Sequence, residues 1–375
     1  MLAVSTAGLS RGENSMKNNK DRYWDCLDQA MEASHGGRIE EALAWLEEAL
    51  KANPGGAEAH NGRGEILWDE GRVEESLCEF ERAIGADAKF STAHLNRIEL
   101  LAEELGEFET ALEVCDELLA GLPTFPRLDR SFQAELYYLK AKALFYRDDL
   151  QGAVFLIRRA IKTGGEQPTY SAFEGHVLFE MGSYEEARRV LERAAAAEPD
   201  SPHIVYSLGL VLERLAPAGE LDGQQQATEA AGSAAQLAFE RANALDPMQF
   251  PLPFAVSVEF FEEVISAALE NLPRSIREYV ADVPILVEEF PGPELVVGER
   301  LSPQLLGLFM GVPRTEALAT EQVPDLDRVL LFKSNLQKIC HDREELIEQI
   351  QITLRHEIGH YLGLDENDLE RLGLA

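Results

Sequence analysis

Apolar positions between residues 21 and 247 recur with a register longer than one helix. Each repeat is clearest in its second half, which opens on a small residue. Steps of four, seven and twelve then reach a larger apolar residue, another apolar residue and a helix stop. The series reads Ala42, Leu46, Ala49, Pro54, then Ser76, Phe80, Ala83, Ala88, then Ala111, Cys115, Leu118, Pro123. It continues as Ala153, Ile157, Ala160, Gly165, then Ala187, Leu191, Ala194, Pro199, then Ala235, Phe239, Ala242, Pro247. Steps of four and three put the first three positions on one helical stripe. Small residues let a neighbouring helix approach, and the fourth position ends the helix. A first helix precedes each, as in Ala59-His60 to Leu67-Trp68 or Ala172-Phe173 to Leu178-Phe179. Gly71, Gly106 and Gly182 mark the turns that join the two helices.

Units one and two, and units four and five, lie 34 residues apart. In period, small-large-small pattern and terminal proline the array resembles the tetratricopeptide repeat (TPR) over residues 21–250, in about six units. The first helices mostly lack the Trp and Gly usual in that repeat. Unit four begins after an insertion, Thr124 to Asp129, and unit six holds a polar insert, Pro217 to Ser233, expected to be a mobile loop. The resemblance implies a TPR-like α-solenoid whose concave face binds a peptide or protein partner, with Asn61, Arg63, Asn96 and Arg97 facing the groove. The alternative is an array that only scaffolds the C-terminal domain. Trp24, Trp45 and Trp68 fit helical core stripes and read as packing residues.

The pattern changes at the Pro-rich break Pro247 to Pro253. An amphipathic helix is expected from Ser257 to Leu272, with Phe260, Phe261, Val264, Ile265, Ala268 and Leu269 on one side, and a short helix from Arg274 to Val280. Val283 to Glu289, Gly307 to Gly311 and Arg328 to Lys333 read as strands. Asp342 to Leu362 reads as one long helix capped by Asp342, and Glu366 to Leu372 as a short final helix.

Within that long helix His356-Glu357-Ile358-Gly359-His360 forms H-E-x-x-H. Positions four apart lie one turn apart on one face, so His356 and His360 can offer two imidazoles to one ion. Glu357, on the flank, can act on a water at that ion without being a ligand, the arrangement of a zinc hydrolase. Chance spacing is the bland alternative. Gly363 and the carboxylates Asp365 and Glu366 beyond it weigh against chance, because a broken helix lets an acidic side chain turn back to the same ion. Tyr361 is expected to pack against the sheet, Asp368 to cap the final helix, and Cys340-His341 to be no metal site.

Residues 254–375, and most closely those from Arg328 onward, resemble the small bacterial zincin-like metallopeptidases called minimal zincins. The residues that carry the resemblance are H-E-I-G-H-Y-L-G-L-D-E and the preceding order of helix, strand, G-L-F-M-G-V-P, strand and long helix. The family pattern H-E-x-x-H-x-x-G-x-x-D is altered in its last place, where Glu366 stands for Asp. The resemblance implies one zinc ion held by His356, His360 and Glu366, with Asp365 as rival third ligand and Glu357 as general base. It also implies that strand Arg328 to Lys333 is an edge that pairs with an extended peptide. The chain is therefore expected to be mainly α, a TPR-like α-solenoid followed by a small α+β zincin-like domain with a short mixed sheet and an active-site helix. The expected bounds are a disordered leader at 1–20, repeats at 21–250 and the metallopeptidase domain at 251–375. The expected function is a zinc metallopeptidase whose repeats recruit protein. The alternative is a repeat scaffold with a structural or latent metal site.

Charge and cysteine content narrow the partners. The net charge is −33, and the counts are −20 before residue 250 and −13 after it. Clustered Lys and Arg, which nucleic acid and anionic membranes need, are not evident in the composition, so neither is expected as a partner. Cys26, Cys78, Cys115 and Cys340 make no C-x-x-C pair, which points to reduced thiols and a cytoplasmic setting. No run approaches eighteen apolar residues, and the N-terminal stretch lacks a signal-peptide pattern.

Overall fold

A computed structural model of the chain describes residues 7–121, 128–216, 225–252, 254, 256–311, 327–365, 368 and 371; of residues 7–18, 225–233 and 275 the backbone alone is described. The chain divides into two compact units, Met1–Glu166 and Gln167–Ala375.

The first unit is built of helix pairs α1 (Ala7–His35) and α2 (Ile39–Ala52), α3 (Ala57–Asp69) and α4 (Val73–Ala86), α5 (Ser91–Glu103) and α6 (Phe108–Ala120), and α7 (Arg130–Tyr146) and α8 (Leu150–Gly164). The second opens with two more pairs, α9 (Pro168–Glu180) and α10 (Tyr184–Ala197), then α11 (Pro202–Leu215) and α12 (Gln225–Leu245). Within each unit these pairs are TPR-like helical repeats. The small-large-small register explains them: all its first three positions, from Ala42, Leu46 and Ala49 to Ala235, Phe239 and Ala242, are at most 4% exposed. Burying that stripe against the neighbouring helix is what holds short helices of this length in place.

The turn glycines Gly71, Gly106 and Gly182 have φ of 71°, 63° and 70°, and repeat four places Asp148 at φ 63° instead. Asp tolerates this left-handed geometry better than most residues with a Cβ. Ser76 suits its buried position because its hydroxyl donates to Gly64 O at 2.7 Å. The first helices are not as devoid of glycine as expected. A Cβ at Gly64, Gly175 or Gly209 would stand 2.5, 2.5 or 2.8 Å from Phe80, Leu191 or Phe239, the large residue of the same repeat. Those glycines are what allow the large side chain to lie flat on the first helix.

Three expectations for the array are corrected. Helix α1 starts at Ala7, inside the stretch expected as a disordered leader; no proline interrupts residues 7–52. Helix α12 starts at Gln225, so the polar insert is helical from there, in keeping with its Ala- and Gln-rich run. Residues 217–224, like 124–127 of the other insert, lie outside the described residues. Trp24 is 45% exposed and does not pack in the core. Trp45 packs against the first repeat's core, and Trp68 lies edge-on to Phe80. Asn61 and Asn96, expected to face the groove, bond to each other, Asn96 Nδ2 donating to Asn61 Oδ1 at 3.1 Å. Arg63 and Arg97 stand 3.7 and 3.5 Å from Glu79 and Glu81.

The rest of the second unit packs helices on one face of a small sheet. Helix α13 (Val258–Glu270) is capped by Ser257, α14 spans Arg274–Val280, and a π-helical turn spans Glu294–Gly298. Strands β1 (Ile285–Glu288), β2 (Gly307–Met310) and β3 (Arg328–Phe332) adopt the order β1-β3-β2, with β1 parallel and β2 antiparallel to β3. Two helices close the fold, α15 (Lys333–Lys338) and α16 (Arg343–Leu362). The edge position expected for β3 is corrected. It is the middle strand, because Val329, Leu330, Leu331 and Phe332 are all buried and demand cover on both faces. One face meets α13 and α16 through Val329, Leu331, Leu346, Ile350 and Leu354. The other meets Leu295 through Leu330 and Phe332. Among the described residues no helix is long and apolar enough to cross a membrane.

Candidate metal centre

Helix α16 carries the H-E-x-x-H residues, and both of its ends are fixed locally. Asp342 Oδ1 accepts from the amides of Glu344 and Glu345 at 2.8 and 2.9 Å. Glu345 turns back to the amide of His341 at 2.6 Å. Gly363 ends the helix at φ 86°, ψ 24°, a left-handed conformation that glycine adopts at little cost. The next amide, Leu364, returns to Gly359 O at 3.0 Å.

His356 and His360 are both half-buried, and their Nε2 atoms lie 3.0 Å apart. Two nitrogens each about 2.05 Å from a tetrahedral ion would lie about 3.3 Å apart. The pair therefore already has nearly the spacing of two ligands of one ion. His360 Nδ1 is 3.3 Å from Leu364 O. A carbonyl only accepts, so the proton belongs on Nδ1, and His360 Nε2 is left with a lone pair directed at the His356 side. This is the outer support that metal-binding histidines use. The helix break at Gly363 supplies it by folding Leu364 under the ring.

Glu357 is buried, 7% exposed, on the flank of the histidine pair. Its Oε2 accepts from the Phe309 amide of edge strand β2 at 2.6 Å. The strand comes this close because residue 307 is glycine. A Cβ there would stand 2.6 Å from Thr353 Cγ2 and 3.0 Å from Glu357 Cγ. Tyr361 packs as expected: its ring lies edge-on to Phe309, with centroids 5.6 Å apart, and its hydroxyl donates to Tyr279 O at 3.3 Å.

The two rival third ligands are placed differently. Asp365 is exposed, and its Oδ1 accepts from the Asp368 amide at 2.8 Å, so this carboxylate caps the following turn. Asp368, expected to be the cap, pairs with Arg371 at 2.5 Å instead. Glu366 lies outside the described residues, as does most of the expected final helix. Among the described residues no three His, Cys, Asp or Glu side chains converge to hold a metal. His341 and Cys340 sit at the opposite end of α16, about 20 Å from His356 at about 1.5 Å per residue. His341 is held by Met248 O at 3.0 Å and by Glu345, which raise its pKa above the ordinary imidazole value. Burial pushes the Cys340 thiol up to about 12.

Behind β2 lies a set of buried contacts that sequence reasoning missed. Arg214 of α11, with its side chain only 4% exposed, donates through Nη2 to Pro303 O at 2.7 Å and Asn335 Oδ1 at 2.9 Å. Asn335 donates in turn to Pro303 O and Leu305 O at 2.9 and 2.7 Å. The Arg214 guanidinium lies 3.7 Å from the Phe290 ring centroid, a desolvated cation–π contact. Lys338, equally buried, pairs with Glu213 at 2.6 Å. Burial holds both cations below their ordinary pKa, opposed by the Glu213 carboxylate. The strap 303–305, the residues just before β2, is thus pinned by the last repeat. A lone Arg in the apolar run Ile204 to Leu215 was the available signal.

A family model described as zincin-like metallopeptidase matches residues 280–374. Two tetratricopeptide-repeat models match residues 27–89 and 175–215. No curated protein matches the chain. Solved structures with a likeness to it include pilF of Pseudomonas aeruginosa, 15% identical over 66% of this chain and 99% of that one, with a TM-score of 0.47. The type IV pilus biogenesis factor PilW is 17% identical over 60% of this chain and 94% of that one, with a TM-score of 0.48. A thermophilic TPR protein of Thermus thermophilus is 19% identical over 51% of this chain and 98% of that one, with a TM-score of 0.42. The chain thus carries tetratricopeptide repeats in its N-terminal part and a zincin-like metallopeptidase domain over residues 280–374.

Proposed function

We propose that the chain is a zinc-dependent metallopeptidase whose helical repeats recruit the protein it acts on. The observation that carries this reading is the 3.0 Å approach of His356 Nε2 and His360 Nε2 beside the buried carboxylate of Glu357. The donor set fits zinc: two imidazoles at chelating distance, one of them oriented by a backbone carbonyl, on a helix that breaks just beyond. His356, His360 and Glu366 would hold one zinc ion. Glu366 is preferred over Asp365 because the Asp365 carboxylate is engaged by the Asp368 amide.

Bound there, zinc would supply Lewis acidity to a peptide carbonyl oxygen and would lower the pKa of the attacking water so that a base can deprotonate it. Glu357 accepts the proton of the attacking water and returns it to the departing amine nitrogen. The Phe309 N–H donates to Glu357 Oε2 and so holds the orientation of the carboxylate. Tyr361 takes no part, since its hydroxyl is committed to Tyr279 O. The domain bounds proposed are 21–250 for the repeats and 251–375 for the metallopeptidase domain. All four cysteines are free, which suits a reducing, cytoplasmic setting.

The test is cleavage of a diverse peptide library by the zinc-loaded full chain and by Glu357→Gln, read by mass spectrometry. Wild type should cut, and the variant should be slower by about 10²- to 10⁴-fold. No cutting by either protein, or equal cutting by both, contradicts the reading.

A further inference from the structure

Repeat four reverses the charge of the chain. Residues 130–164 hold seven Lys and Arg against three Asp and Glu, a net +4 within a total of −33. Helix α8 carries Arg158, Arg159 and Lys162 and no acidic residue. Its buried stripe, Ala153, Val154, Leu156, Ile157 and Ala160, turns the opposite face to solvent. That face presents Gln151, Phe155 and the three cations, and it borders a cavity of about 820 Å³ completed by Arg130 and Gln133 of α7. Among the described residues that line it there is no carboxylate. Phe155 is 65% exposed, an unusual place for a large aromatic ring in a helix that buries its apolar face elsewhere. Arg159 is held in position by stacking on Tyr137, with the guanidinium 4.4 Å from the ring centroid.

We propose that this cavity docks an acidic segment of a partner protein, in which carboxylates flank one large apolar side chain. Charge complementarity carries the choice of occupant. Arg158, Arg159, Lys162 and Arg130 create local positive potential on an otherwise strongly acidic chain, and planar guanidinium groups recognise carboxylates through paired hydrogen bonds. The apolar side chain covers Phe155 and shields those ion pairs from water. A small free anion makes no use of Phe155. A second copy of the chain must overcome the repulsion of two bodies of net charge −33. The site lies wholly within the first compact unit, so it stands whether or not the metal centre is catalytic.

The probe is a fluorescein-labelled peptide of about twelve residues, rich in Glu and Asp around a central Phe, titrated with the full chain and monitored by anisotropy. Saturable binding is expected, weakening several-fold as salt rises from about 50 to about 300 mM. The combined variant R158E, R159E and K162E should weaken it about tenfold or more, Phe155→Ala about threefold, and the remote surface variant Lys89→Glu not at all. Each variant is first checked for wild-type helicity, and Lys162→Glu alone serves if the combined variant does not fold. The proposal is overturned by absent binding, by equal binding to the charge-reversed variant, or by no effect of Phe155→Ala. It is likewise overturned if inorganic phosphate displaces the peptide at matched concentration, or if sedimentation shows a self-association that the same charge reversals abolish.

Discussion

The Phe309 amide donates to Glu357 Oε2 at 2.6 Å, so the edge strand of the sheet holds the acidic residue of H-E-x-x-H. Gly307 permits that approach, because a Cβ there would meet Thr353 Cγ2 at 2.6 Å. Gly307→Ala should therefore cost about 1–3 kcal/mol through overpacking. Glu357→Gln keeps an acceptor for Phe309 and should leave stability nearly unchanged, whereas Glu357→Leu strands a half-buried N–H and should cost about 1 kcal/mol or more. Urea unfolding of the three variants checks this. Equal stability of Gln and Leu variants contradicts the role of the bond.

The strap ahead of β2 depends on Arg214. Replacing a desolvated guanidinium that serves Pro303 O and Asn335 Oδ1 leaves both without their charged donor. Arg214→Met should cost about 2–5 kcal/mol and speed amide exchange across residues 304–310. Arg241, exposed and 3.4 Å from Asp200, is the control, and Arg241→Met should change neither. Unaltered exchange in Arg214→Met would show that the repeats do not support the strand.

Much of this arrangement is legible in the sequence. The helical stripes, the short helix at Arg274–Val280 and the Asp342 cap arise from local periodicity and capping chemistry, which act within a few residues. Ser76 and Cys115 can be assigned to the core because register outweighs residue type. What sequence does not convey is pairing at a distance. The order β1-β3-β2 depends on which strand needs two covered faces, and Arg214, Pro303 and Asn335 meet across long separations in the chain. The cationic face of α8 escapes notice for another reason: total composition averages away a local reversal.

His94 offers a pH test of the array. It is 5% exposed, its Nε2–H donates to Ala88 O at 3.1 Å, and burial holds its pKa below the ordinary 6.5. A depressed histidine contributes stability that is complete above 6.5 and is lost as pH falls through the lower folded value. Urea midpoints of wild type should fall on acidification from about pH 7.5 to about 5.5 more than those of His94→Gln. Parallel curves would contradict the assignment.

The third ligand separates two neighbours. Asp365→Ala should loosen the turn to Asp368 but leave zinc affinity within about threefold, while Glu366→Ala should weaken it by about 10²-fold or more. Competition against a fluorescent chelator measures both. The reverse ranking would assign the site to Asp365.

The pairing of His356 with His360 is tested most directly by zinc stoichiometry and affinity on the full chain. One tightly held zinc per chain is expected in wild type and in Glu357→Gln, with its loss in His356→Ala and in His360→Ala. Zinc that is absent from wild type, or retained equally by the histidine variants, would contradict a metal centre at H-E-x-x-H.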